Sequence, residues 1–84
     1  MSEFYKKLTS EYDKDLVDAV LAVSAKKAGI PESAFNPEVF CRTFVRLSSP
    51  EYRAQIENVI AEYDSSPYLK HEKLEALKKA LKDA

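Results

Sequence analysis

Apolar residues recur along this chain at intervals of three and four positions, which is the spacing of one face of an α-helix. The longest such segment is Glu11–Ala28. The sequence Gly29-Ile30-Pro31 that follows it is typical of a helix end, because glycine adopts the left-handed conformation and proline cannot continue a helix. We predict Ser10 as the N-cap of this helix, with Asp13 as its capping-box partner. The pattern therefore predicts one long central helix.

Prolines mark the starts of three further helices. Each follows an Asn or Ser that can cap the helix, in Asn36-Pro37-Glu38, Ser49-Pro50-Glu51 and Ser66-Pro67-Tyr68. The apolar spacing after these starts predicts helices over Pro37–Leu47, Pro50–Tyr63 and Tyr68–Asp83. Two shorter elements are a candidate first helix over Ser2–Leu8 and a single turn over Glu32–Phe35. We predict an all-α fold: one helical domain over residues 1–84, a small bundle of four main helices with the short N-terminal helix as an optional addition.

The predicted helices differ in how much apolar surface they must bury. The helix over Pro37–Leu47 carries Phe40, Phe44 and Leu47 on one face, and we expect this face to lie in the core. The central helix has apolar residues around more than half of its circumference. Such a helix needs partners on two sides, supplied either by its own bundle or by another chain.

Composition limits the compartment in which we expect the protein. The chain has 84 residues, one Gly, one Cys and a formal net charge of −1. A single Cys cannot form an internal disulfide, and no apolar run reaches the roughly 20 residues that span a bilayer. We therefore expect a cytoplasmic protein that makes no membrane contact.

Catalysis is disfavoured by the scarcity of reactive side chains. Cys41 is the one thiol and His71 the one imidazole, and they lie on different predicted helices with no third group placed to orient them. No metal-ligand spacing and no Gly-rich phosphate loop is present in the sequence. We expect a non-enzymatic protein without metal or cofactor.

Binding to another protein, or to a second copy of the chain, is the function that the sequence favours. A domain this small has a thin core, and association buries apolar surface that the monomer leaves open. A small regulator, inhibitor or adaptor fits this interpretation. Three helix faces are the candidate contacts: Val17, Leu21 and Ala25; Ala54, Asn58 and Ala61; and Leu74, Leu77 and Leu81. The third face, which continues to Ala84, has the spacing of a short zipper.

The alternative is a weak nucleic-acid-associated transcriptional regulator. It would use a patch formed by Lys26, Lys27, Arg42 and Arg46 if the helices that carry them pack side by side. Residues 31–67 hold three Arg against five Glu and one Asp, a balance that repels DNA. Nucleic acid is therefore the less favoured partner.

One stretch resembles a known family. In Asn36–Ile56, Phe40 follows Asn36 by four positions and Leu47 follows by seven more, with a Ser and a Glu in the next turn and then Ile56. This spacing resembles part of a small phage anti-sigma factor, and the length of the chain is also typical of phage and mobile-element proteins. The resemblance covers a quarter of the chain, and no functional residue is carried over from it.

Overall fold

Five α-helices account for most of the chain in the computed structural model, which describes residues 2–83. They are α1 (Glu3–Glu11), α2 (Lys14–Lys27), α3 (Pro37–Phe40), α4 (Pro50–Asp64) and α5 (Pro67–Asp83). A 3₁₀ turn, Glu32–Ala34, precedes α3, and a π-helical segment, Cys41–Val45, continues it. No β-strand occurs within residues 2–83. The predicted all-α fold is confirmed.

Side-chain caps begin the last three helices at the predicted positions. Asn36, Ser49 and Ser66 each accept a hydrogen bond from the backbone N–H three residues later, at 3.1, 3.2 and 3.4 Å. Each cap satisfies one of the N–H groups that a helix start leaves without an intrahelical partner. These boundaries follow from local sequence, which is why they could be predicted.

The start of α2 differs from the prediction. Asp13, not Ser10, is the N-cap, and it accepts the Leu16 N–H at 3.2 Å. Ser10 lies inside α1 and donates to the carbonyl oxygen of Lys7 at 2.9 Å. The two helices are separated at Tyr12, whose backbone is extended (φ −130°, ψ 166°). Ser and Asp are equally good caps, so the capping-box pattern did not distinguish the two positions.

The end of α2 is a Schellman motif centred on the chain's one glycine. Gly29 has φ 87°, in the left-handed region that favours glycine. Its N–H donates to the Lys26 carbonyl at 3.0 Å, and the Ile30 N–H donates to the Ala25 carbonyl, also at 3.0 Å. The chain is thereby turned away from α2 as the sequence predicts.

Replacing Gly29 by Ala is expected to lower the free energy of unfolding by about 1 kcal/mol, because a Cβ disfavours the left-handed conformation. A Cβ at this position meets no atom within 4 Å, so the loss is conformational rather than a clash. Asn tolerates positive φ, and Gly29→Asn should lose less than Gly29→Ala. Urea denaturation followed by circular dichroism measures both variants, and the reverse order would contradict this account of the turn.

The central position of α2 corrects one predicted docking face. Val17, Leu21 and Ala25 are 0%, 0% and 1% exposed, so they belong to the core and offer no surface to a partner. The reason is that α1, α3, α4 and α5 all pack against α2 and enclose these three side chains. The core cluster contains Leu8, Leu16, Val17, Val20, Leu21, Ala25, Phe40, Cys41, Val45, Ile56 and Ile60.

The π-helical segment changes which residues α3 and its continuation bury. The Arg46 N–H donates to the Cys41 carbonyl, the i to i+5 bond of a π turn. Phe40 is buried as predicted, whereas Phe44 is 41% and Leu47 85% exposed, so the predicted three-residue core face is wrong at two positions. In this segment Cys41 and Val45 are buried instead, and Phe44 is accessible at the surface.

Candidate functional site

Cys41 and His71, the candidate reactive pair, lie in different environments. Cys41 is buried, and burial together with the charge of Asp18 raises the pKa of its thiol to about 12. The thiol is therefore protonated at neutral pH and is a poor nucleophile. His71 is exposed on α5. Within the part of the chain that the structure describes, no three His, Cys, Asp or Glu side chains are grouped as metal ligands.

The four candidate nucleic-acid residues line different hollows. Lys26 and Lys27 line one between α2 and α5, where Lys26 donates to the Leu81 carbonyl at 2.6 Å. Arg42 and Arg46 line another, together with an arginine that the prediction did not include. Lys26 thus satisfies a carbonyl near the end of α5, a structural role for part of the predicted patch.

The leucines predicted as a zipper on α5 are partly used inside the domain. Leu74, Leu77 and Leu81 are each half-buried, and Leu77 packs against the core cluster. The helix makes its most extensive contact with α2. Ala84, the last position of the predicted stripe, lies outside the described residues. The face is therefore shared between internal packing and the surface.

The small-residue face of α4 lies at the surface. Ala54 and Asn58 are exposed and Ala61 is half-buried. Ile56 and Ile60, on the opposite side of the helix, are buried in the core. This face therefore lies on the side of α4 away from the core, as the sequence predicts.

An apolar groove lies between α2 and α4. Its two adjoining hollows measure about 310 Å³ each and share Ser24, Lys27 and Tyr52 as lining residues. We call it the α2/α4 groove; its apolar lining includes Val23, Phe44, Tyr52, Val59, Tyr63 and Leu77. Phe44 and Val59 are 41% and 36% exposed although both line it.

Stacked rings hold one end of the α2/α4 groove in place. Phe44 stacks on the buried Phe40 with ring centroids 5.3 Å apart, and meets Tyr52 edge-on at 5.9 Å. Phe40 in turn contacts Phe35 at 6.1 Å. Offset and edge-to-face pairs of this kind add stabilisation beyond burial alone. The exposed ring of Phe44 is therefore fixed by a buried neighbour, which lowers the entropy lost on binding.

The polar groups of the groove are cationic or neutral. Lys27 lines both hollows, and the Lys73 ammonium lies 5.6 Å from the centroid of the Tyr63 ring. Burial raises the pKa of Tyr52, and a hydrogen bond with Ser24 partly offsets that rise, so the phenol stays neutral at physiological pH. The groove therefore combines an apolar lining with one cation, Lys27, and a second lysine lies beside its Tyr63 ring.

The aromatic content of the sequence indicates a groove of this kind, although the spacing of apolar residues does not. Five Tyr and four Phe are more aromatic residues than so small a core requires. Tyr52 and Tyr63 follow the helical spacing of buried positions, and both are only half-buried. An excess of aromatic residues over core needs is thus the feature that indicates a binding surface here.

Comparisons with other proteins add no further assignment. Within residues 2–83, no helix combines the length and apolar character that crossing a membrane requires. The chain matches no protein-family model, no curated protein and no solved structure.

Proposed function

We propose that this chain is a non-catalytic protein-interaction module, a small regulator, inhibitor or adaptor, that binds a helix of a partner protein in the α2/α4 groove. The observation that carries the proposal is the partly exposed pair Phe44 and Val59, which line two hollows that share Ser24, Lys27 and Tyr52. Aromatic anchors in a partly enclosed apolar site are typical of interface hot spots. The four-helix packing predicted from sequence belongs to the same proposal, since it supplies the two helices that form the walls.

The groove favours an amphipathic helix with acidic residues flanking its apolar face. An amphipathic helix binds a groove of this kind through side chains spaced three and four positions apart. Lys27 and Lys73 lie where carboxylates beside that apolar face can reach them. Charge complementarity of this type steers association and fixes orientation more than it adds affinity.

A different protein is favoured over a second copy of the chain. In a symmetric dimer the same surface patch meets itself. Lys27 and Lys73 would then face an equally cationic groove, and like charges facing each other across an interface oppose association. Sedimentation equilibrium should accordingly show a monomer, and a dimer abolished by substitution of Val59 would replace this proposal with self-association.

The test compares two valines of nearly equal exposure. Val59→Glu places a negative charge in the groove, whereas Val39→Glu places one on α3, outside the groove lining. Val59 and Val39 are 36% and 40% exposed, so both variants should fold. A partner captured by the wild-type chain should bind the Val59 variant at least tenfold more weakly, because the hot spot becomes both polar and repulsive.

The purified partner, or a peptide spanning its binding helix, is then titrated against all three chains by calorimetry. The Val39 variant should bind the partner within twofold of the wild-type affinity. If only the Val59 variant loses affinity, the result supports the α2/α4 groove as the binding site. Equal affinity of the Val59 variant and the wild type would show that the partner binds elsewhere. A partner segment without a helical apolar face would contradict the proposed mode.

A further inference from the structure

A second concavity, distinct from the α2/α4 groove, gathers every arginine of the chain. Arg42, Arg46 and Arg53 are the three arginines of the sequence, and all three line one hollow of about 480 Å³. Two come from the π-helical segment and the residue after it, and the third from α4. Three separate parts of the chain thus build one space: the N-terminal residues of α1, the π-helical segment and α4. The remaining lining residues are Ser2, Glu3, Phe4 and Cys41.

The walls of this arginine concavity are held by contacts on both sides. The Tyr5 hydroxyl donates to the Asp18 carboxylate at 2.8 Å and so fixes α1 against α2. The Lys7 ammonium pairs with Glu57 at 3.1 Å and fixes α1 against α4. Because α1 supplies Glu3 and Phe4, these contacts position one wall relative to the arginines of the others.

The guanidinium groups are available for a ligand. Among residues 2–81, whose side chains the structure describes, no hydrogen-bond acceptor or carboxylate pairs with Arg42, Arg46 or Arg53. Arg42 and Arg46 are exposed and Arg53 is half-buried. Three arginines around one space can direct several N–H donors at one anion. The π turn that carries Arg42 is a feature often found at functional sites.

We infer that the arginine concavity binds the phosphate group of a small phosphomonoester. The planar guanidinium fork matches phosphate oxygens two at a time. A phosphomonoester presents three terminal oxygens and a charge of about −1.5 to −2, which suits three arginines better than the two oxygens of a carboxylate. The hollow falls in the size range of small-molecule sites, and Phe4 and Cys41 provide apolar lining for an organic body.

A polyanion suits the concavity less well than a compact ligand. Glu3 lies in the lining, and the chain as a whole carries a formal charge of −1. A nucleic acid strand extending beyond the three arginines would meet this acidic surface, whereas a single phosphate group would not. The site is independent of the α2/α4 groove, because the two share no lining residue.

Phenyl phosphate is the probe, titrated at low ionic strength and followed by amide chemical shifts in ¹H–¹⁵N spectra. Arg42→Gln, Arg46→Gln and Arg53→Gln each remove one charge, and we expect each to weaken binding about tenfold, as loss of a charged hydrogen bond does. Lys79→Gln removes an exposed charge on α5, outside the concavity, and should change the affinity less than twofold. The shifts should be confined to α1, the π-helical segment and α4.

Comparison ligands test whether the concavity binds a carboxylate, the free phosphate ion or a nucleic acid instead of a phosphomonoester. Benzoate should bind at least tenfold more weakly than phenyl phosphate, and inorganic phosphate should also bind more weakly because it lacks the organic body. Equal binding of inorganic phosphate would overturn the phosphomonoester in favour of the free ion. Failure of phenyl phosphate to bind, an equal effect of Lys79→Gln, or binding of an oligonucleotide alone would each overturn the inference. The Val59→Glu variant should bind phenyl phosphate as the wild type does, because the two sites are independent. For the same reason, failure of phenyl phosphate to bind leaves the proposal for the α2/α4 groove intact.

Discussion

Replacing Leu21 by Ala should lower the free energy of unfolding by about 2–5 kcal/mol, the range for truncating a fully buried leucine. Leu21 is 0% exposed and lies on the helix that all the others contact. A domain of 84 residues has a total stability of about 4–13 kcal/mol, so the variant loses a large part of it. Urea denaturation followed by the helical circular dichroism signal measures the loss.

Leu47→Ala is the matched control, because it makes the same chemical change at a side chain that is 85% exposed. Its effect should stay below about 0.5 kcal/mol, as for most surface substitutions. A similar loss in both variants would show that Leu21 is not a core residue of the monomer. Leu21 would then regain the docking role that its sequence pattern suggested.

Local features of the fold were predictable because their causes lie within a few residues. Asn36, Ser49 and Ser66 cap helices by bonding the backbone three residues later, and Gly29 ends α2 through its own φ angle. Neither cause depends on tertiary structure. The presence of these helices and most of their boundaries could accordingly be derived from sequence.

Features that depend on which helices become neighbours were not predictable. The sequence shows that α2 is apolar around more than half of its circumference, but which part of it is covered depends on the packing of four other helices. Likewise, Phe44 has the spacing of a core residue, but it lies in the π-helical segment Cys41–Val45 and is 41% exposed. Periodicity assumes a regular α-helix, so a change of helical register defeats it.

The arginine concavity illustrates the same limit for a candidate site. Arg42 and Arg46 are four positions apart and could be paired from sequence. Arg53 lies on another helix, and Glu3 and Phe4 come from the opposite end of the chain. The predicted partners of the two arginines were instead Lys26 and Lys27, which line another hollow. The residue types indicate positive charge, but the packing of the helices determines which cationic side chains lie together.

Cys41 provides the second large effect, a loss of stability at alkaline pH. Its thiol has a pKa of about 12 in the folded chain, against an ordinary value of 9.0. The pKa is raised chiefly because burial disfavours the thiolate, and secondly because Asp18 repels it. Below pH 9 the thiol is protonated in both states and the stabilisation is fully present. As the pH rises from 9 towards 12, the unfolded chain loses the proton first, so the free energy of unfolding falls.

The fall amounts to about 4 kcal/mol across this interval, since each pKa unit corresponds to about 1.4 kcal/mol. Cys41→Ala removes the titrating group, so its stability should decline less between pH 9 and 12 even though it begins lower at neutral pH. Tyr5, Tyr12 and Tyr52 also have raised pKa values, but they are present in both proteins and cancel in the comparison. Urea denaturation at a series of pH values measures both curves. Parallel curves would mean that the thiol ionises as readily in the folded chain as in the unfolded one, which a side chain enclosed by the core helices cannot do.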